Sequence, residues 1–509
     1  MAAMSSAELQ REAPSGERAA VVKGSLLSMG LLALGSLLGL IRDLILAGLF
    51  GAGANSDAFV IAWTVPETAS PLLIEGAMAL VMIPLFGRAL AEGTDPRRVV
   101  AATLPRLLIV LVVVGAAVLV FAPALVDAIG AAGAQRRLAI DCLRLAAPTV
   151  PLIGLAGYFS AALRSHGSFG APAFIYTAYN LGIIACMALG YLTIGVRGAA
   201  LGLSAGAALM VLVQLPGFTR KVGFSWHGWR SASPVVLGGV LTVGLYTIIR
   251  QGQVFVERAI GAPLGPGTIS ALNYAQKVAQ VPLTLSAVLA VVTFPLVARR
   301  IAAGNGEQAR RRVETDLRFV GGVTLLATAF LIPFAPSVIA FLFQRGAFDA
   351  AATAATARIL QVYVLGLLGQ VVVDQLSRVY FAGSRPNWVP VLAMTAGLAL
   401  TGFLAAALVR PWGAAGIAAA NAAGITLTGL LLALAARGAR LAAPRPRVYG
   451  SLALLLIPAG AALLAGFALR QALRGWPPLP TLLAGGFVST AVFGVIVAAG
   501  WRIERFRSA

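Results

Sequence analysis

Nine ionisable side chains stand in or beside stretches that are otherwise apolar: Arg42, Asp57, Glu67, Glu75, Arg250, Glu257, Arg258, Lys277 and Asp374. At the centre of a bilayer such a group costs roughly 2.5 to 3.5 kcal/mol on insertion scales, so it faces a partner or a wet cavity. Cations gathered around an apolar-walled cavity suit a phosphate or diphosphate, whose oxygens accept several charge-assisted hydrogen bonds at once. The chemistry implied is recognition of an anionic, lipid-linked head group, with no catalytic residue. Other readings stay open at single positions. Arg42 with Asp43, and Glu257 with Arg258, suit helix-end groups reaching to the interface, and Asp374 with Arg378 suits an i,i+4 pair. Lys277 lies well inside a long span. Glu67 follows Pro66, whose kink frees backbone groups that are best satisfied beside protein or water.

The elements that hold these charges follow from composition. Of the 509 residues 59% are hydrophobic and 11% charged, whereas an ordinary globular chain is about a quarter charged. Apolar runs recur from residue 24 to residue 501, each long enough for a hydrocarbon core roughly 30 Å thick. The fold class expected is all-α, a polytopic membrane protein of about 14 transmembrane helices. Charged and Gly/Pro-rich punctuation places the spans at 24–50, 58–90, 99–122, 138–163, 171–194, 198–218, 234–258, 268–298, 317–343, 357–381, 387–409, 413–436, 449–470 and 480–501. The second and eighth are long enough to tilt, or to kink at Pro66 and Pro282.

The net charge of +21, from 39 Lys+Arg against 18 Asp+Glu, is read as topology. No basic stretch interleaved with aromatics indicates nucleic acid. With the N-terminus inside, cytoplasmic segments hold Arg97, Arg98, Arg220, Arg230, Arg299, Arg300, Arg310, Arg385 and Arg440, and the opposite loops hold far fewer. Both termini are therefore expected in the cytoplasm. Residues 1–23 read as a disordered cytoplasmic tail.

An internal repeat organises the spans. "ALVMIPLFGRALAEG", Ala79 to Gly93, and "AVVTFPLVARRIAAG", Ala290 to Gly304, share seven of fifteen positions. "RSHGSFGAPAF" and "FAGSRPNWVPV" echo one another after spans four and ten. Each echo links span n to span n+6, an even offset that keeps both copies in one orientation, so the repeats are parallel. The expected organisation is a tail (1–23), two pseudo-symmetric six-helix lobes (24–218 and 219–436), and two additional helices with a short C-terminal tail (437–509).

Three motifs are set aside. "GLSAG", Gly202 to Gly206, matches a nucleophile pattern but lies in a span, where small residues pack helices. His166 and His227 have no ligand-spaced partners, and Cys142 and Cys186 form no CxxC, so no metal site is expected. With no Walker loop, energy is expected from a Na+ or H+ gradient, the membrane potential or the substrate's own gradient, and no cofactor is expected.

"GLIRDLILAGLFGAGANSDAFVIAWTVP", followed by "EGAMALVMIP", resembles the start of the MurJ/MviN lipid II flippase family, within the superfamily that also holds multidrug and oligosaccharide exporters. "LFQRGAFDAAATAATARILQVYVLGLLG" with "RVYFAGSRPNWVPV" resembles the family's ninth-to-eleventh-helix region, and the likeness runs to about residue 440. The resemblance implies a fourteen-helix plasma-membrane flippase that turns undecaprenyl-diphosphate-linked peptidoglycan precursor outward by alternating access. Arg42 and Asp57 fall on charged family positions tied to function, and Glu75 matches an acidic one. Departures are Ser36, Ser70 and Pro71 where the family has arginines, Glu67 where it has asparagine, and Lys277 where it has arginine.

The residues expected to meet substrate are Arg42, Lys277, Arg250 and Glu67, and Asp57 and Glu75 are expected to organise the gate. Lysine at 277 keeps a charge but loses the bidentate fork. Other polyprenyl-linked glycans therefore remain open as cargo. Two rival readings are a cation-coupled multidrug exporter using Glu67, Glu257 or Asp374, and a nonconducting scaffold for a cell-wall synthesis complex. The partners expected are the lipid-linked glycan, the bilayer and such a complex.

Overall fold

The structure, a computed structural model, describes residues 15–225, 238–302, 305–381, 387–438 and 444–508, and these contain no strand. Helices follow one another as α1 (Ser15–Phe50), α2 (54–91), α3 (Pro96–Val120), α4 (Gly133–Ser165), α5 (Gly170–Gly190), α6 (Val196–Lys221) and α7 (Gly238–Gly261). They continue as α8 (Thr268–Ala302), α9 (Gly306–Phe343), α10 (Ala350–Phe381), α11 (Val389–Trp412), α12 (Ala414–Gly438), α13 (Pro446–Ala472) and α14 (Pro478–Ser508). Where the residues are described, the expected spans fall on helices, and residues 234–237 of the seventh lie outside the described ones. Among the described residues, eleven helices are long and apolar enough to cross a membrane. The three outside that set, α2, α7 and α8, are those that carry Glu67 and Glu75, Arg250 with Glu257 and Arg258, and Lys277. His227, Arg230, Arg385 and Arg440 lie outside the described residues.

Local chemistry explains the boundaries. Pro96, Pro446 and Pro478 open their helices, where the missing N–H is no loss. Asp349 caps α10 by accepting the Ala352 N–H at 2.8 Å. In α2 the helix continues through Pro66 and changes at Pro71, where a wide π-helical stretch, Pro71–Met82, replaces the α ladder. Proline removes one donor from the i→i−4 series, and a one-residue slip in register is how the ladder closes again. α1 begins at Ser15, so residues 15–23 of the expected disordered tail are helical, extending the first span toward the N-terminus.

The repeat reappears in geometry. α5 joins α6 through Gly195 at φ 61°, ψ −137°, and α11 joins α12 through Gly413 at φ 58°, ψ −137°. In both turns an N–H three residues on, that of Gly198 or Gly416, donates back to the glycine carbonyl at 3.0 Å. That backbone region is closed to side chains with a Cβ, so G-x-x-G recurs six helices apart for a steric reason.

Two compact units result. The first comprises residues 1–42, 65–120 and 145–235, and the second 43–64, 121–144 and 236–509. The first is centred on Met78, Met82, Phe86, Tyr158, Phe159 and Phe218, with Phe159 stacked on Phe218 at 4.2 Å. In the second, Tyr246, Leu376, Tyr380, Met394 and Leu432 join α7, α10, α11 and α12, while Leu317, Val320, Val448 and Leu452 seat α13 on α9. Large aliphatic and aromatic side chains such as Val113, Leu189, Phe403 and Phe487 point outward, which is what a hydrocarbon surround permits and water does not.

Candidate functional site

In the first unit the charge from α1 is buried. Arg42 is 3% exposed and donates to Asn180 Oδ1 on α5 at 3.1 Å. The Asn180 amide is oriented by its own nitrogen, which donates to the carbonyls of Gly35 and Tyr176 at 3.1 and 3.0 Å, leaving its oxygen for the guanidinium. The interfacial reading of Arg42 and Asp43 is thereby corrected, because both side chains are enclosed by protein. Glu67 is half-buried. Glu75 lies in the π-helical stretch, and its side chain is outside the described ones.

In the second unit the N-terminal parts of α2 and α8 face each other through two contacts. Asp57, fully buried, accepts the Ser270 N–H and hydroxyl at 2.7 Å each, the Gly267 N–H at 2.7 Å and Gln135 Nε2 at 3.3 Å. A carboxylate on the open N–H groups of a helix start is matched to both hydrogen bonding and dipole. Six residues along α2, the Trp63 ring lies under Lys277 Nζ at 4.8 Å from its centroid, a cation–π contact that holds the ammonium over the indole. Asn273, one turn before Lys277, is buried with neither amide atom hydrogen-bonded among the described residues, an unmet polar group of the kind that marks sites for ligand or water.

Glu257 and Arg258, expected at the interface, are buried instead. Glu257 accepts from the Tyr363 hydroxyl and the Asn421 amide, and Arg258 donates to the Thr64 hydroxyl. Packing of α7 against α10 and α12 supplies these partners, which no local sequence window contains. Arg250 pairs with Asp374 at 2.9 Å, so the Asp374 carboxylate is held by α7 as well as by its own helix. Ser204 of the GLSAG segment sits within α6 and donates to the Leu145 carbonyl at 2.6 Å, as helix packing requires.

The two resemblance-bearing stretches meet in the second unit. The Ala347 N–H, from the LFQRGAFD stretch, donates to the Gly48 carbonyl at 2.9 Å. Gly346, at φ 59°, abuts that same carbonyl so closely that no Cβ fits. A family model described as lipid II flippase MurJ matches residues 46–474. The chain belongs to the MurJ family. That match reaches past residue 440, where the sequence likeness ended, and takes in α13. Among curated relatives, the lipid II flippase MurJ of Burkholderia cenocepacia is 27% identical over 80% of this chain and 82% of its own length. The probable lipid II flippase MurJ of Rhizobium meliloti is 28% identical over 78% and 77%. A solved MurJ in an inward closed conformation superposes with a TM-score of 0.78 at 20% identity, over 94% of this chain and 99% of that one. An inward-facing multidrug transporter of the MATE family follows at 0.69 and 15%, over 84% and 98%, which establishes a shared fold. This MurJ-family chain is thus a multi-pass bacterial membrane protein.

The sequence pointed to Arg42, Asp57, Lys277 and Arg250, and to Asp374 that pairs with Arg250, but not to the partners Asn180, Ser270 and Trp63 or to the unmet amide of Asn273. A lone amide in an apolar span was the available signal for Asn180 and Asn273. Nothing local marks Ser270 or Trp63.

Proposed function

We propose that the protein moves lipid II, the undecaprenyl-diphosphate-linked peptidoglycan precursor, from the inner to the outer leaflet of the plasma membrane. The observation that carries this reading is the unbroken family match from residue 46 to residue 474. Alternating access of lobes 24–218 and 219–436, with both termini cytoplasmic, is the motion that the parallel repeat supports. Arg42, Lys277 and Arg250 meet the diphosphate, Glu67 the adjoining polar part of the head group, and Asp57 and Glu75 govern the gate. Energy comes from the membrane potential or from a Na+ or H+ gradient, and a cell-wall synthesis complex supplies and receives the lipid.

Engagement of Asp374 by Arg250, and of Glu257 by Tyr363 and Asn421, favours a head-group carrier over a cation-coupled exporter, since those carboxylates are already matched to donors. The test is flipping of fluorescent lipid II in proteoliposomes, scored by accessibility at the outer face, beside polyprenyl-diphosphate carriers of other glycans. Equal transport of every glycan would replace lipid II by a broader cargo, and no transport of any would end the reading.

A further inference from the structure

We propose that Arg250, Arg378 and Tyr246 form an oxyanion site in the second unit, with Asp374 as a resident counter-ion that an incoming phosphate displaces. Two helical stripes build it. α7 carries Tyr246 and Arg250 one turn apart, and α10 carries Gln370, Asp374 and Arg378 at successive i,i+4 positions, the spacing that sets side chains on one face.

Donors outnumber acceptors here. Asp374 Oδ1 accepts Arg250 Nη1 at 2.9 Å and Gln370 Nε2 at 3.1 Å. Arg378 lies within electrostatic reach of Asp374, Arg250 and Tyr246. Yet its Nη1 is buried with no hydrogen-bond partner among the described residues, and so is the hydroxyl of Tyr246, a residue only 6% exposed. One carboxylate between two guanidiniums leaves the cluster with an excess positive charge and with Arg378 Nη1 unmet. Buried donors without acceptors cost stability, so their persistence calls for a ligand rich in acceptors and negative charge. Phosphate and diphosphate fit, and guanidinium forks match their oxygens in pairs. A metal cation does not fit, because it would meet two like charges.

The Arg250 side chain is 36% exposed, against 16% for Asp374, so an anion arriving at Arg250 competes for the guanidinium before it meets the carboxylate. Displaced, Asp374 stays beside Arg378 on the same helix, and the phosphate takes its place on α7. In the flippase reading, on which this identity of the occupant rests, the diphosphate of the lipid is that anion. Free inorganic diphosphate presents the same chemistry.

The test is equilibrium binding of radiolabelled inorganic diphosphate to the purified full chain in detergent, with polyprenyl diphosphate as competitor, for wild type, Arg378→Gln and Asp374→Asn. Arg378→Gln should bind about tenfold more weakly, the value of one charge-assisted hydrogen bond. Asp374→Asn, which removes the competitor, should bind more tightly. If Arg378→Gln does not fold, Arg378→Lys keeps the charge without the fork and should bind several-fold more weakly than wild type. Competition by the polyprenyl form makes the lipid the occupant, and its failure makes the occupant a free anion. Absence of binding by either compound, or equal affinities in all variants, overturns the site. Arg378-dependent binding in a protein that does not flip lipid II would instead overturn the transport reading and leave the oxyanion site standing.

Discussion

The Asp57 carboxylate takes both the main-chain N–H and the hydroxyl of Ser270, each at 2.7 Å, across 213 residues of chain. The internal repeat has an offset of 211 residues, from Ala79 to Ala290, so this contact joins the start of α2 to the start of its own counterpart, α8. Only one of the two copies carries the acid.

Replacing Asp57 by alanine leaves the Gly267 and Ser270 N–H groups without their acceptor and the Ser270 hydroxyl with the Gly267 carbonyl at 3.2 Å. A loss of about 2 kcal/mol is expected from the missing cap and the stranded donors. Thermal unfolding in detergent should show a lower midpoint for Asp57→Ala and a smaller drop for Asp57→Asn, whose amide oxygen still accepts. Identical midpoints for all three proteins would refute the capping role.

Lys277 and Trp63 should act together. Lys277→Ala is expected to abolish lipid II flipping while preserving the folded protein, and Lys277→Arg to retain it, since charge is kept and the fork gained. Trp63→Leu removes a ring face worth roughly 0.5 to 2 kcal/mol to the ammonium and should slow flipping without abolishing it. A Trp63→Leu/Lys277→Ala cycle measured by thermal unfolding midpoints checks the coupling, and strictly additive losses would count against it.

Gly413 offers a purely conformational test. No atom lies within 4 Å of a Cβ added there, but its φ is 58°. Gly413→Ala should therefore destabilise by about 1 to 2 kcal/mol through backbone strain alone. Gly450, inside α13 and equally uncrowded at ordinary φ, should give the opposite sign on conversion to alanine, because helix propensity rises. Unfolding midpoints that move in the same direction for both would contradict the assignment of the turn.

At the first turn of α4, Arg136 binds the carboxyl of Asp127, which lies before that helix, at 2.5 and 2.8 Å and holds its pKa below the ordinary 3.8. With the folded value depressed, the stabilisation is fully present above pH 3.8 and is lost as pH falls through the lower, folded value. Asp127→Asn should consequently flatten the stability profile below pH 3.8 while changing the neutral-pH midpoint little, because the pair is exposed. An unchanged acid limb in unfolding scans would contradict the pairing.

Hydropathy was sufficient to place the eleven helices that, among the described residues, are long and apolar enough to cross a membrane, since an apolar run of bilayer length has few alternatives to a helix whose backbone bonds are satisfied internally. Less was legible at the site. The types of Arg42, Asp57, Lys277 and Arg250 announced themselves by cost alone. Glu257 was misplaced because distance from a span boundary says nothing about whether α10 and α12 stand beside it with Tyr363 and Asn421.

Sequence alone determined that this chain is a helical membrane protein with a parallel repeat and a set of costly embedded charges, because length, apolarity and spacing act locally along the chain. Tertiary structure decided which charge meets which partner: Arg42 with Asn180, Asp57 with Ser270, Lys277 with Trp63 and Asp374 with Arg250. Those pairings join residues on different helices, and they depend on how packed helices rotate their faces toward one another, a property no single helix carries in its own sequence.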